Sequence, residues 1–290
     1  MKIIHLSDTH IGFENNIERM QLIVDDLILH RPLDTSDHLI IHTGDMVQDS
    51  HSSKELKLAH SALEALKAYG YRVLICPGNH DYGESRYTSR SIAVHFRSMF
   101  NSFFYLKDHS ELSVIHADDI FPVLNIIDNT AFIGLDSCWE ELGWFSGLLA
   151  EGQIGEAQLD KLNQILDLPD LVGKKIVLYL HHHPFSYGYA VKPLVTDPHG
   201  IFQSLYDVTR RFRRLKDAYT LSQTIRDRVD IMLFGHMHYG LDCSAESRRY
   251  GIAMALDGSS STATLMDTDR MRYRIIDTDA MSYETRFIRL

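Results

Sequence analysis

The stretch Lys2-Ile3-Ile4-His5-Leu6-Ser7-Asp8-Thr9-His10-Ile11-Gly12 decides how the rest of the chain is read. Lys2–Leu6 has the apolar content and length of a strand, and it breaks at once into Ser7, Asp8 and His10. The strand therefore delivers a carboxylate and an imidazole to its carboxyl end. A helical pattern follows over Ile17–Leu29, with Met20, Ile23, Val24, Leu27 and Ile28 at helical spacing. His38–His42 reads as a second strand. Ser53–Tyr69 reads as a helix with Leu56, Ala59, Leu63 and Leu66 on one face, and Arg72–Cys76 as a third strand, stopped by Pro77-Gly78. This βαβαβ order implies parallel strands with helices packed outside.

Farther along, Phe121–Ile127 and Thr130–Leu135 are strand-like runs joined at Asp128-Asn129, a good turn pair, which predicts a hairpin in a mixed sheet. A helix is expected over Glu156–Leu166, then the apolar strand Lys175–Leu180. After a long polar and aromatic stretch, Phe185–Tyr219, come a helix ending near Val229 and the strand Asp230–Phe234. Ile252–Leu256, Arg272–Asp277 and Tyr283–Arg289 read as closing strands. No repeat or linker divides the chain, so one α/β domain over residues 1–290 is expected.

Composition narrows the function. Hydrophobic residues make up 44% of the 290 and charged residues 23%, as in an ordinary globular protein. The net charge of −10 argues against general affinity for nucleic-acid backbone. It leaves room for a small anionic substrate, because bound cations dominate a local field. The three cysteines, Cys76, Cys138 and Cys243, are too scattered for a disulfide framework or a thiolate zinc site. No signal-peptide core follows Met1, and no apolar run approaches the roughly 18 residues of a membrane span. A cytoplasmic location is the plain expectation.

Seventeen histidines are many for this length, and they gather. Each polar cluster lies just after an expected strand: Asp8-Thr9-His10, Gly44-Asp45, Gly78-Asn79-His80-Asp81, His181-His182-His183-Pro184 and Gly235-His236-Met237-His238. In open α/β sheets the carboxyl ends of the strands share a crevice, so these loops converge. Taken singly, each cluster has a structural explanation as a turn or a hydrogen-bonded loop. Together, in this order, they point to metal. Imidazole and carboxylate donors suit manganese, iron and zinc, whereas an all-oxygen set suits calcium or magnesium. A carboxylate such as Asp45 can bridge two ions about 3.5–4 Å apart; such a pair supplies hydroxide near neutral pH and clamps the oxygens of an in-line displacement at phosphorus.

The motif series resembles the calcineurin-like metallophosphoesterases over most of the chain. The resemblance implies a four-layer αββα sandwich of two mixed sheets. It also implies a two-metal phosphoester hydrolase, with Mn, Fe or Zn ions in divalent or mixed-valence form. By position, Asp8, His10 and His238 hold the first ion and Asn79, His182 and His236 the second, with Asp45 between them. His182 is chosen as the histidine two residues before the proline, and His181 is the alternative register. His80 matches the family's non-ligand histidine, which with Asn79 meets the phosphate and assists the leaving oxygen.

Within the family, the Asp-Arg-Gly of protein phosphatases is missing after Asp45, which leaves His80 without the aspartate partner those enzymes give it, although Asp49 sits one place on. Gln48 stands where purple acid phosphatases carry a ligating tyrosine. The opening matches DNA-repair nucleases, but no room remains for their added domains. Gly78-Asn79-His80-Asp81, Leu135-Asp136-Ser137 and the triple histidine look most like class III cyclic-nucleotide phosphodiesterases and their glycerophosphodiesterase relatives. A small phosphodiester is thus the expected substrate. A DNA exonuclease, a broad phosphomonoesterase and a non-catalytic scaffold are the alternatives. Phe185–Tyr219, with Tyr187, Tyr189, Lys192, His199, Phe202 and Tyr206, reads either as a lid or as a packed excursion. The basic run Arg210, Arg211, Arg213, Arg214 and Lys216 reads as a solvated helix face.

Overall fold

The computed structural model describes residues 1–83, 90–105, 120–138, 151–185, 215–262 and 270–289. Strands β1 (Lys2–Leu6), β2 (His38–His42) and β3 (Arg72–Ile75) are joined by helices α1 (Asn16–Leu29) and α2 (Ser53–Ala68). β1 and β2 run parallel with Ile4 opposite Ile40, and β2 and β3 run parallel with Ile41 opposite Leu74. Alternation along the strands divides two cores. Ile4, Leu6 and Ile40 pack outward against Met20, Ile23, Val24 and Leu27 of α1 and Leu56, Leu63 and Leu66 of α2. Ile3, Leu39 and Ile41 point the other way, into a second apolar cluster. Burying each such side chain contributes about 1.5–3 kcal/mol, so a shift of one residue in register would be strongly opposed.

Helix α3 (Arg90–Phe104) follows β3. It lies outside the elements expected from strand ends, although Phe96, Met99, Phe100, Phe103 and Phe104 repeat at helical spacing; Phe100 is buried in the outer core. β4 (Val123–Ile127) and β5 (Thr130–Gly134) form the expected antiparallel hairpin, turned by Asp128 in the left-handed region at φ 52°. Helix α4 (Glu156–Leu166), β6 (Lys175–Tyr179), α5 (Ala218–Thr224), β7 (Ile231–Phe234) and β8 (Met254–Asp257) complete this half. Helix α5 stops well before Val229, because Asp227 takes a left-handed φ of 58° and its N–H bonds the Tyr250 carbonyl. β8 begins later than expected, since the Ile252 N–H is taken by Ser247.

Among the described residues the strands form two five-stranded sheets, ordered β10-β9-β1-β2-β3 and β4-β5-β6-β7-β8. β9 (Arg270–Asp277) lies antiparallel to β1, and β10 (Ser282–Arg289) closes the edge. Between the sheets Ile3, Leu39, Ile41 and Ile276 meet Phe132, Val177, Tyr179, Ile231 and Leu233. Outside the second sheet, Leu159, Leu162, Leu166 and Leu221 cover Ile133, Leu178 and Met232. The layers are helix, sheet, sheet, helix, as expected. No helix among the described residues is long and apolar enough to cross a membrane. Residues 186–214 of the Phe185–Tyr219 segment, including Tyr187, Tyr189 and the arginines of the basic run, lie outside the described residues.

Candidate metal centre

The loops leaving β1, β2, β3, β6 and β7 meet at one edge of the two sheets. Asp8 N–H bonds the Gly44 carbonyl at 3.0 Å, Gly235 N–H bonds the His181 carbonyl at 2.9 Å, and His236 N–H reaches the Asp8 carboxylate at 3.1 Å. Two glycines let the backbones close to this distance. A Cβ on Gly235 would stand 2.0 Å from Ser7 Oγ, and one on Gly78 would stand 2.2 Å from Asp45 Oδ1. Asp8, His10, Asp45, His236 and His238 all have left-handed backbone, with φ of 50°, 43°, 52°, 75° and 59°. Non-glycine residues in that region cost about 1–3 kcal/mol each and persist where the surroundings hold them for a task.

The side chains gather in two groups on either side of Asp45, and His80 also lies within reach of His10 and Asp45. His10 Nε2 and His238 Nε2 are 3.1 Å apart, and His238 Nε2 is 3.1 Å from Asp8 Oδ1. In the second group Asn79 Oδ1 lies 3.0 Å from His181 Nε2 and 3.1 Å from His236 Nδ1, and these nitrogens are 3.2 Å from each other. Asp45 Oδ2 stands between the groups, 3.3 Å from His181 Nε2 and 3.8 Å from His10 Nε2. Its other oxygen accepts the His80 N–H at 2.9 Å. Two donors each about 2.1 Å from a common ion, at 90–110°, stand about 3.0–3.4 Å apart, so both groups fit a metal ion.

Protonation follows the same demand. His181 Nδ1 donates to the Thr43 carbonyl at 2.8 Å, which aims Nε2 at the Asn79 oxygen. Burial opposes a charge on His181, but the Asp45 carboxylate, its hydrogen bond and Asp8 outweigh burial and push the imidazole up to about 10. The pocket thus calls for positive charge at this nitrogen. Burial acts against ionisation of Asp45, yet His181 and His80 hold its carboxyl well below the usual range. His10 goes the other way: burial takes it down to about 3, leaving a neutral ring.

Of the expected ligands, Asp8, His10, Asp45, Asn79, His236 and His238 come together here. His182 does not face Asn79. Its Nδ1 and its backbone N–H both bond Ser137 Oγ, at 2.9 and 3.0 Å, while its ring lies 4.4 Å from that of His236. His181 takes the place beside Asn79 and Asp45, the alternative register of the triple histidine. His183 points away, bonding Phe185 O at 3.0 Å. His80 borders the centre, its ring 4.8 Å from that of His10. Its Nδ1 bonds the Gln48 carbonyl at 3.0 Å, and Asp49 bonds His51 instead.

Two supports were not expected from sequence. Asp81 accepts N–H groups of Met46 and Val47 on one oxygen, at 2.9 and 3.1 Å, and of Gly78 on the other, at 2.9 Å. Burial, and then the charge of Asp45, push its carboxyl up to about 8 against those three donors. The run Ser259-Ser260-Ser261-Thr262 after β8 is fully buried. Ser260 and Thr262 donate to the carbonyls of Asp8 and Thr9 at 2.7 and 2.9 Å, and Ser261 exchanges bonds with Ser7. Its position just past a strand end was the available signal.

Comparison with known proteins supplies the family and the fold. The family model described as calcineurin-like phosphoesterase matches residues 1–240, and the chain belongs to that family of metal-dependent phosphoester hydrolases. Among solved structures, a dimetal phosphatase from Danio rerio is similar at 15% identity and a TM-score of 0.56, covering 94% of this chain and 95% of its own. An archaeal phosphodiesterase aligns at 13% identity and a TM-score of 0.43, over 99% of this chain and 100% of its own. At 15% identity the first likeness speaks to the fold alone. No curated protein matches the chain in sequence.

Proposed function

We propose that this protein hydrolyses small phosphodiesters at a centre of two Mn, Fe or Zn ions. Asp8, His10 and His238 would hold one ion, Asn79, His181 and His236 the other, and Asp45 would bridge them. The observation that carries this reading is Asp45 Oδ2, which stands 3.3 Å from a nitrogen of one group and 3.8 Å from a nitrogen of the other. When bound, such a pair supplies a nucleophile near neutral pH and charge stabilisation for in-line displacement. The chain's own residues do the rest. Asp45 accepts the His80 N–H on Oδ1, which holds its carboxylate in place between the two groups. With Nδ1 on the Gln48 carbonyl, His80 turns its other nitrogen toward the centre. There it meets a phosphate oxygen or protonates the departing alkoxide.

Small diesters are favoured over nucleic acid because the chain carries −10 overall. Cyclic nucleotides stand first, from the likeness of the motifs to class III phosphodiesterases. The test is metal analysis of protein purified without chelator, followed by a panel at fixed manganese. That panel holds cyclic nucleotides, glycerophosphodiesters, phosphomonoesters and single-stranded DNA. Near two ions per chain and fastest turnover on a small diester are expected. Absence of bound metal, or efficient degradation of single-stranded DNA persisting at about 0.2 M salt, would sink the reading.

A further inference from the structure

Behind Asp8 runs a hydrogen-bond chain that reaches back into the strand. Ser7 Oγ donates to Asp8 Oδ2 at 2.5 Å, Thr43 Oγ1 donates to Ser7 Oγ at 2.7 Å, and His5 Nε2 is 2.9 Å from Thr43 Oγ1. His5, Ser7, Thr43 and Asp8 are all fully buried. The direction of the chain follows from chemistry. An ionised carboxylate only accepts, so Ser7 must donate to it. Each hydroxyl has one proton, so Ser7 accepts from Thr43, and Thr43 must in turn accept from an Nε2–H of His5. Burial, and then Arg274, take the His5 imidazole down to about 3, so the ring stays neutral. Its Nδ1 is buried without a hydrogen-bond partner. An orphaned acceptor in the core is costly, and apolar residues would fill that space more cheaply; the retained imidazole is accounted for by what its other nitrogen does.

The consequence falls on the two oxygens of Asp8. Oδ2 is held from behind by Ser7, while Oδ1 faces His238 at 3.1 Å in the first ligand group. We infer that His5 is a positioning residue for the first metal subsite: through Thr43 and Ser7 it anchors Asp8 Oδ2 and so keeps Oδ1 turned toward His238 to bind the ion. The chain ends on Asp8, whose side chain faces the first subsite; its links toward the second are backbone ones, the His236 N–H on Asp8 and the Thr43 carbonyl on His181, so its effect falls mainly on one subsite. The inference rests on the two-metal reading above.

The experiment is a two-site titration of chelator-stripped protein with manganese, followed by electron paramagnetic resonance and competition with a chromophoric chelator. His5→Phe keeps the bulk and removes the donor; His5→Gln places an amide N–H near the Nε2 position; Ser7→Ala cuts the chain at its last link. Disturbing an outer contact of a metal ligand costs about 10–100-fold in affinity. His5→Phe and Ser7→Ala should each weaken one of the two manganese sites by that factor and leave the other within about threefold. The double variant should lose little more than either single one, and His5→Gln should recover most of the affinity. Unchanged affinity in Ser7→Ala and in His5→Phe overturns the inference, as does equal weakening of both sites or equal loss in His5→Phe and His5→Gln. Should His5→Phe not fold, Ser7→Ala alone decides by the same one-site criterion. Wild-type protein that binds no manganese overturns the two-metal reading itself, and the inference with it.

Discussion

Asp45 is the residue whose loss should be felt most widely. Asp45→Asn keeps the shape and the oxygen that accepts the His80 N–H, but removes the charge that stands between the two ligand groups. It should lose at least one ion, and activity should fall beyond the roughly 10–100-fold that outer-contact changes cost. Near wild-type turnover with full metal content would contradict the bridging role. His181 and His182 separate the two registers of the triple histidine. His181→Ala should remove one ion, whereas His182→Ala should keep both, because its ring bonds Ser137 and not the Asn79 oxygen; metal analysis of the purified variants decides. For His80 the expected outcome is different again. His80→Ala should retain both ions while the rate drops by about 10²–10⁴-fold on substrates with poor alkoxide leaving groups, and less on p-nitrophenyl esters, which depart without a proton. Equal losses on both would reduce His80 to a phosphate contact.

At the scale of elements, the loops after β2 and β3 are stitched by Asp81. Its two oxygens take three backbone N–H groups, from Met46, Val47 and Gly78, and the side chain is fully buried. Each buried donor left without a partner costs about 1–3 kcal/mol, and the three share one relaxation, so Asp81→Ala should lose about 2–4 kcal/mol. A lower urea midpoint with unchanged slope reports it. Asp81→Asn, which still accepts through one oxygen, should lose less. A drop under about 1 kcal/mol in Asp81→Ala would mean that the loops are held by other contacts. The loop after β8 works the same way on β1, since Ser260 and Thr262 bind the carbonyls of Asp8 and Thr9.

Across the whole molecule, the centre joins the two sheets: Asp8, His10, Asp45 and Asn79 come from loops of one, His181, His236 and His238 from loops of the other. Ions held there would therefore tie the sheets together. They would also offset five left-handed backbone positions and the gathering of buried imidazoles and carboxylates. Ligation to the folded state alone stabilises by about 2.7 kcal/mol at a free concentration of 100 times Kd. Manganese should accordingly raise Tm by about 5 °C or more over the chelator-treated protein, in differential scanning calorimetry. No shift on adding manganese, iron or zinc would speak against a centre shared between the sheets.

The parallel β1–β2–β3 unit was legible in the sequence pattern, and the layer order followed from the motif resemblance. The same pattern also brought Asp8, His10, Asp45, Asn79, His236 and His238 to one edge. Apolar periodicity and polar residues at strand ends are local signals, and local signals are what a sequence carries openly. Which histidine of His181, His182 and His183 stands beside Asn79 and Asp45 depends on the tertiary fold. Successive side chains leaving a strand point in different directions, and the last turn of backbone is set by contacts with Thr43 and Ser137, far away in the chain. The left-handed ligands, the Asp81 clamp, the Ser259–Thr262 brace and the His5 chain were decided there too. Most of their contacts join residues tens to hundreds of positions apart, whose meeting depends on the chain having already packed.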